Sequence, residues 1–260
     1  MSSPAPSIAE LRAVAQPESV IGRNSAEHWG GRLYMRRLSP YVTRLLLRTP
    51  LSANAITWLM IPAGIAGALA LTIPCLWGAI VCVVLIQLQL LLDCCDGEVA
   101  RWRRQFSPAG VYLDRIAHHV TFAALPIGLG IRADGGWDQL GGWTTTGLGV
   151  AVLVLLIMAE TNLVGVARAE AGLPLIADTA ENAAPRPSAL RRARRLLGYV
   201  PFFRAFVAIE ASLLALAAAI GDEIAGSLDV TRALLLALVA AGVITAAGHL
   251  VGILTSQRLR

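Results

Sequence analysis

Long apolar segments alternate with short polar ones along most of this 260-residue chain. Six of the apolar segments approach the ~20 residues that a helix needs to cross the hydrocarbon core of a bilayer. They are residues 55–73, 76–92, 111–131, 148–167, 202–220 and 233–254. The pattern predicts an all-α integral membrane protein in which residues 50–257 form one domain of six transmembrane helices.

The first fifty residues are polar or basic instead. Residues 1–25 are rich in Ser, Ala and Pro, and we expect a disordered or loosely ordered tail there. Residues 26–49 place aromatic and leucine side chains at helical spacing, with arginines on the other faces. This predicts an N-terminal amphipathic juxtamembrane helix on the membrane surface, although a solvated helix packed on the cytosolic face of the protein fits equally. Ser39-Pro40 should break or kink this helix.

Composition agrees with a membrane protein, because 56% of the residues are hydrophobic and only 15% are charged. Soluble domains carry about 25% charged residues. The four cysteines occur in or beside apolar runs or adjacent on a helix, so we interpret them as reduced packing residues. The net charge is +5, and all 22 basic residues that contribute to it are arginines. We attribute it to orientation in a membrane and expect no nucleic-acid partner.

Arginine is concentrated in every second loop. The N-terminal region, the connections after the second and fourth spans, and the C-terminal tail are rich in arginine. The alternate loops, which contain Arg132 and Asp222, are poor in arginine and lean acidic. By the positive-inside rule, both termini and the arginine-rich loops are cytoplasmic, in an inner or plasma membrane.

Residues 93–119, with long apolar runs on both sides, contain three aspartates, an arginine cluster and two histidines. Asp93 and Asp96 are three residues apart and share a helix face, as do Asp114 and His118, which are four apart. The short connection between the two helices makes them antiparallel neighbours, so their polar ends meet at the cytoplasmic border. Three carboxylates and an imidazole in one place need a cation, and such sites favour Mg²⁺ or Mn²⁺ together with substrate phosphates.

The motif Asp-x2-Asp-Gly-x2-Ala-Arg-x8-Gly-x3-Asp is complete in this stretch. It resembles the signature of the CDP-alcohol phosphotransferases, a membrane family that includes phosphatidylinositol-phosphate synthases and phosphatidylglycerophosphate synthases. The matching positions are Asp93, Asp96, Gly97, Ala100, Arg101, Gly110 and Asp114. The resemblance implies transfer of a phosphoalcohol group from a CDP-linked donor to an acceptor hydroxyl, with release of CMP.

The resemblance also implies which residues bind metal and nucleotide. Asp93, Asp96 and Asp114 would hold two divalent ions, Mg²⁺ or Mn²⁺, that grip the donor diphosphate. The residues expected at the cytidine nucleotide are Asn54, Thr57, Gly97, Ala100, Arg101, Ser107 and Gly110. Asn54 and Thr57 come from an altered form of the family's Pro-Asn-x-x-Thr-like entry to the first helix.

The chain departs from the family pattern at His118, where the fourth motif aspartate is expected. That aspartate is a metal ligand and the presumed base. A neutral imidazole can accept a proton and can bind a metal, so His118 is our candidate for the catalytic base and a fourth metal ligand. The alternative is a degenerate, inactive relative. His119 points about 100° away on the helix and is interpreted as a packing residue.

The acceptor site is predicted around Arg168, in an Ala-Arg-Ala-Glu segment similar to that of family members using phosphorylated polyols. Together with Arg191 and Arg194 it would bind an acceptor phosphate. The alternative is that these arginines fix the topology and meet anionic lipid head groups.

The partners that follow are a CDP-linked donor such as CDP-diacylglycerol, a polyol or polyol-phosphate acceptor, and membrane lipids. A soluble CDP-polyol donor is the alternative. Small residues in 64–68 also suit close helix packing, including the seam of a homodimer. Two rival functions remain. One is a non-catalytic protein that binds nucleotide or lipid, and the other is a transporter, which does not explain the spaced motif.

Overall fold

The computed structural model of the protein describes residues 6–17, 31–174, 176 and 202–260. In these ranges every regular element is helical. The α-helices are α1 (Ile8–Ala15), α2 (Arg36–Leu46), α3 (Ala53–Leu71), α4 (Leu76–Arg103), α5 (Pro108–Asp134), α6 (Gly142–Glu170), α7 (Ala208–Ala225) and α8 (Asp229–Thr255). A π-helical turn (Gly31–Met35) leads into α2, and short 3₁₀ turns (Trp137–Gln139, Phe202–Phe206) precede α6 and α7.

Within the described ranges, four helices are long and apolar enough to cross a membrane, namely α3, α4, α6 and α8. The other two predicted spans coincide with α5 and α7. Charged and polar side chains interrupt the apolar sequence of both helices. Helix α5 contains Asp114 and His118, and the 18 residues of α7 include Glu210 and Asp222. The all-helical class is confirmed, whereas the count of six spans stays a prediction.

The long helices form one bundle in which α3 packs against α4 and α5, α5 against α6, and α8 against α6 and α7. Small residues allow the backbones to approach closely. A side chain on Gly64 of α3 would collide with Thr121 of α5, and one on Gly147 of α6 would collide with the backbone of α5. All four cysteines are free thiols, and Cys82, Cys94 and Cys95 are buried. These three therefore pack as predicted.

Arg132 anchors the end of the bundle away from the charged stretch. The sequence analysis assigned this residue to an arginine-poor loop on the side opposite the cytoplasm. In the structure its side chain is only 1% exposed. Its Nη1 donates to the carbonyls of Ile73 and Cys75, both at 2.9 Å, and Nη2 lies 3.8 Å from Asp222 Oδ2. Asp222 also accepts from the Thr231 hydroxyl at 2.5 Å. The pair therefore joins the α3–α4 loop and α5 to the corner between α7 and α8.

The N-terminal region contains more order than the expected loose tail, because α1 lies within it. A capping box begins the helix: the Glu10 amide donates to Ser7 Oγ at 3.2 Å, and the Ser7 amide donates to Glu10 Oε2 at 2.8 Å. The Ser-x-x-Glu spacing is the sequence signal for this start. Leu11 and Ala15 are fully buried where α1 packs against α2 and α4.

The expected break at Ser39-Pro40 does not occur, because Pro40 lies inside α2. Proline has no N–H to donate to the carbonyl four residues earlier, which belongs to Arg36. That carbonyl instead accepts a hydrogen bond from Gln16 Nε2 at 2.8 Å. Helix α2 buries Ser39, Pro40 and Thr43, and exposes the apolar side chains of Leu38, Tyr41 and Leu45. Its placement on a membrane surface remains a prediction.

Candidate metal and nucleotide site

Asp93 on α4 and Asp114 and His118 on α5 form a cluster where the two helices meet. His118 Nε2 lies 3.2 Å from Asp93 Oδ1 and 3.4 Å from Asp114 Oδ1. One candidate ligand atom from each residue lies within 4.8 Å of the other two. The side chains of Asp93, Asp114 and His118 are 26%, 41% and 24% exposed, so a ligand can reach them. The convergence that the helical spacing predicted is present.

The local sequence explains why the cluster forms at this point. Helix α4 ends at Arg103, and α5 begins after an N-cap at Ser107, whose Oγ accepts from the Gly110 amide at 3.0 Å. Pro108 occupies the first turn of α5, where its missing N–H costs nothing. The connection is therefore short, and it returns the chain so that Asp114 and His118 lie beside Asp93.

The donor set of this cluster fits a divalent cation. Two carboxylates and an imidazole close together are unfavourable without a positive charge between them. The two carboxylates, without thiolates, suit Mg²⁺ or Mn²⁺, whereas the imidazole of His118 shifts the preference toward a softer metal. Among the residues that the structure describes, Asp93, Asp114 and His118 would hold such an ion.

Asp96, the remaining predicted metal ligand, lies beside this cluster rather than within it. The side chain is turned toward α3, where Thr57 Oγ1 donates to Asp96 Oδ2 at 2.5 Å. Asp96 is only 8% exposed. Thr57, predicted to bind the nucleotide, is thus brought to the motif helix by Asp96. In this arrangement the hydroxyl satisfies a carboxylate that would otherwise be buried alone.

Arg101, predicted to bind the nucleotide, is held in place on two sides. Its guanidinium lies over Gly97, where an added Cβ would be 3.1 Å from Nη1. Its Nε donates to the Ala15 carbonyl at the end of α1, at 2.6 Å. Ala100, which lies between Gly97 and Arg101 in the sequence, packs beside a buried apolar cluster that includes Val99. Gly97 is therefore the position where lack of a side chain makes room for the guanidinium.

Asn54, at the start of α3, lies against the first turn of α5. A Cβ added to Gly110 would lie 2.8 Å from Asn54 Oδ1 and 3.3 Å from Ser107 Oγ. The structure therefore brings Asn54, Ser107 and Gly110 together, and their binding of a nucleotide stays a prediction. Ser107 acts here as a helix cap. At the start of α3 the cap is Ser52, whose Oγ accepts from the Ala55 amide at 3.1 Å.

Glu98 is a residue of the motif helix whose structural role the sequence did not reveal. It is fully buried and accepts hydrogen bonds from Ser39 at 2.5 Å, from Thr43 at 2.7 Å and from Gln16 at 2.7 Å. Arg36 Nη1 lies 3.9 Å away. The available signal was Ser39 and Thr43, four apart on one face of an otherwise basic helix. Glu98 thereby joins α1 and α2 to the motif helix.

Arg168, predicted to bind the acceptor, is engaged by main-chain oxygens. It is 5% exposed. Its Nε donates to the carbonyl of Pro174 at 2.8 Å, and its Nη1 to those of Arg258 at 3.1 Å and Arg260 at 2.6 Å. Arg191 and Arg194 lie outside the described residues. The predicted acceptor site is therefore represented by Arg168 alone, in a position that ties α6 to the C-terminal tail.

His119 faces away from the cluster, as its 100° offset on the helix predicts. Asn162 Oδ1 accepts from Arg115 at 2.6 Å, so the amide nitrogen of Asn162 is the donor to His119 Nε2 at 3.3 Å. The ring proton is then on Nδ1, which lies 2.6 Å from the Arg115 carbonyl. His119 thus packs α5 against α6.

Comparison with known proteins agrees with the site. The family model described as CDP-alcohol phosphatidyltransferase matches residues 50–253, which include α3 to α7 and most of α8. No curated protein sequence matches the chain. The family transfers a phosphoalcohol group from a CDP-alcohol to an alcohol acceptor in lipid synthesis, and is generally dependent on divalent metal. Together with the apolar helices, the match indicates a multi-pass membrane protein. Because the match covers well over half of the chain, the protein belongs to the CDP-alcohol phosphatidyltransferase family.

Proposed function

We propose that the protein transfers a phosphatidyl group from CDP-diacylglycerol to a hydroxyl of a polyol or polyol phosphate and releases CMP. The acceptor oxygen bonds to the phosphorus that carries the diacylglycerol, and the bond from that phosphorus to the oxygen bridging to CMP breaks. The hydroxyl proton passes to a base, and CMP leaves with the bridging oxygen. The observation that carries this proposal is the cluster of Asp93, Asp114 and His118 within the family match.

Asp93 and Asp114 are the proposed metal ligands. Asp96 lies close enough to both for their negative charges to act on its carboxyl group. A divalent ion held by these carboxylates would supply positive charge to the diphosphate and to the departing CMP. Arg101, over Gly97, is positioned to bind a phosphate oxygen with its two terminal nitrogens.

His118 is the proposed base. Its Nε2 lies within hydrogen-bond distance of Asp93, whereas Nδ1 is buried and has no partner among the described residues. With the proton on Nε2 shared with the carboxylate, Nδ1 is left with a lone pair to take the acceptor proton. Phe122 holds the ring by an edge contact at a centroid distance of 5.6 Å. The carboxylate thus orients the imidazole and fixes its tautomer.

An apolar cavity beside His118 favours a lipid donor over a soluble CDP-polyol. Its enclosed part has a volume of only about 10 Å³, about that of one water molecule, and the rest is open to the surroundings. Its lining is Gln89, Leu90, His118, Phe122, Val207, Ala208 and Ile209. Of these seven residues, only Gln89 and His118 are polar, so this surface suits contact with the hydrocarbon next to a diacylglycerol phosphate better than contact with a hydrated sugar. The arginine distribution supports a cytoplasmic active site in an inner or plasma membrane.

The test is to incubate the purified protein with CDP-diacylglycerol or CDP-inositol, each with pooled polyols and polyol phosphates and with Mg²⁺ or Mn²⁺. Released CMP is quantified, and products are identified by mass spectrometry. We expect CMP and a new phospholipid, both abolished by Asp93→Asn. If CMP binds but neither donor yields CMP with any acceptor, the protein is instead a non-catalytic nucleotide-binding relative.

A further inference from the structure

The end of α1 contacts the motif helix at the turn that carries Arg101. The Ala15 carbonyl accepts from Arg101 Nε at 2.6 Å, which leaves the terminal nitrogens of the guanidinium over Gly97. An arginine side chain has many rotamers, and one that is fixed before a ligand arrives loses less entropy on binding. This contact fixes the guanidinium from a part of the chain that lies outside the family match.

The next residue, Gln16, contacts the same part of α4. Its side-chain nitrogen donates to Glu98 Oε1 at 2.7 Å and to the Arg36 carbonyl at 2.8 Å. Pro40 leaves that carbonyl without the usual helical donor, so Gln16 supplies a hydrogen bond that α2 lacks. Glu98 is fully buried, and loss of Gln16 would remove one of the three side-chain donors to its carboxyl group.

The two contacts act on positions three residues apart on α4, one helical turn. Ala15 holds Arg101, and Gln16 holds Glu98. Leu11 and Ala15 are fully buried, so α1 is a packed element and not a surface appendage. A shift of α1 would therefore move the guanidinium and the buried carboxylate together.

We propose that α1, through the Ala15 carbonyl and Gln16, positions Arg101 for the diphosphate of the donor nucleotide. This inference rests on the proposed function in assigning Arg101 to the donor. Ala15 and Gln16 are positioning residues, because they act on the nucleotide through Arg101 and do not touch the reacting atoms. Loss of α1 should weaken donor binding and leave the chemical step nearly unchanged.

The first experiment compares full-length protein with a deletion of residues 1–17 and with Gln16→Ala. We expect the deletion to raise the KM for the CDP donor roughly tenfold, with a kcat within about twofold and an unchanged acceptor KM. Gln16→Ala should raise the donor KM in the same direction by a smaller factor. The matched controls are a deletion of residues 1–5 and Val14→Ala, since Val14 is 48% exposed on α1. Both should behave as the full-length protein.

The second experiment asks whether the effect passes through Arg101. The same deletion is made in an Arg101→Ala background, and CMP binding is measured by calorimetry, which needs no turnover. If α1 acts through Arg101, the deletion weakens CMP binding in the parent and has little further effect in Arg101→Ala. Additive losses, or an unchanged donor KM and CMP affinity in the parent, overturn the proposal.

The calorimetry also separates this inference from the proposed reaction. Full-length protein that binds CMP but never forms it contradicts the transferase function, while the effect of α1 on CMP binding is still measured. Full-length protein that binds no cytidine nucleotide contradicts both. If the deletion variant does not fold, as seen by its elution and thermal unfolding in detergent, Gln16→Ala and its CMP affinity decide the question.

Discussion

His118 Nε2 on α5 lies 3.2 Å from Asp93 Oδ1 on α4, and this contact constrains what the imidazole can do. A nitrogen whose proton is shared with a carboxylate cannot at the same time give a lone pair to a metal. Conversely, a neutral imidazole that binds a metal through Nε2 carries its proton on Nδ1 and cannot act as a base there. The two roles that the sequence suggested for His118 are therefore alternatives. The unpartnered Nδ1 favours the role of base.

The first prediction concerns His118 itself. Because general-base catalysis contributes typically 10²–10⁴-fold, His118→Ala should lower the rate of CMP release by roughly that factor. His118→Asp restores a carboxylate base, adds a negative charge beside Asp93 and Asp114, and should recover part of the rate at a lower Mg²⁺ requirement. Rates are measured over a range of pH and Mg²⁺ concentration. Full activity of His118→Ala at every pH would exclude the base assignment.

The second prediction concerns Gly97. In Gly97→Ala the new Cβ would lie 3.1 Å from Arg101 Nη1, so the guanidinium must move. The far end of a flexible side chain moves at little cost and Ala favours helix, so we expect a thermal stability no lower than that of the parent, with a donor KM raised by roughly tenfold. The matched control is Gly165→Ala on α6, where the added Cβ meets nothing within 4 Å. It should leave the KM unchanged and, because Ala favours helix, stabilise by up to ~1 kcal/mol. Equal kinetics for the two variants would contradict the prediction.

The sequence predicted the helical class and the meeting of Asp93 with Asp114 and His118, because both follow from local rules. Apolar length marks a span, and residues three or four apart share a face. The short loop between α4 and α5 also makes these helices antiparallel neighbours. Those rules need no knowledge of distant contacts.

The partners of Glu98 and Arg132 could not be predicted in the same way, since they come from elements far along the chain. Glu98 is bonded to Gln16, 82 residues away, and Arg132 to the Ile73 carbonyl, 59 away. The charge of Arg132 suggested a solvated loop. Its burial depends on the α3–α4 loop and on α7, which meet the end of α5 only in the folded bundle. Similarly, Pro40 signals a break unless another residue satisfies the carbonyl that it leaves without a donor, and Gln16 does so.

The third prediction tests the buried network around Glu98. In Glu98→Ala the hydroxyls of Ser39 and Thr43 lose their acceptor and the amide of Gln16 loses one of its acceptors, which should cost about 3 kcal/mol of unfolding free energy. Unfolding in detergent by denaturant gives the difference. Glu170→Ala, at an exposed position of α6, should change stability by less than about 0.5 kcal/mol. If both variants unfold alike, Glu98 does not hold α1 and α2 to the motif helix.

The fourth prediction concerns Arg132 and Asp222. Removing one partner of a buried ion pair leaves an uncompensated charge, and Arg132→Ala should destabilise the protein by about 3–5 kcal/mol. Arg37→Ala removes an exposed arginine of α2 and should cost less than about 1 kcal/mol. The double variant Arg132→Met with Asp222→Leu should recover most of the loss, as an apolar pair needs no compensation. No recovery would indicate that the hydrogen bonds to Ile73 and Cys75 dominate instead.

The last prediction is a pH dependence that arises at Asp134, at the end of α5 away from the metal cluster. Partial burial favours the neutral form of this carboxyl. However, its oxygens accept from the Thr144 hydroxyl and from the amides of Thr144, Gly141 and Trp143 at the start of α6, and these bonds hold the pKa of Asp134 below its usual range. A carboxyl with a lowered folded-state pKa stabilises the fold fully above its unfolded-state pKa of about 3.9. That contribution is lost as the pH falls through the lower folded-state value.

Thermal unfolding measured from about pH 6 down to about pH 3 should therefore show a loss of stability at the acid end that is smaller in Asp134→Asn. Asparagine can still accept from the first turn of α6, so the variant should fold and differ mainly in its pH slope. Asp138→Asn, in the exposed loop between α5 and α6, is the matched control and should keep the slope of the parent. If Asp134→Asn and the parent lose stability in parallel as the pH falls, the acid sensitivity arises at other carboxylates, and the α5–α6 corner does not depend on the charge of Asp134.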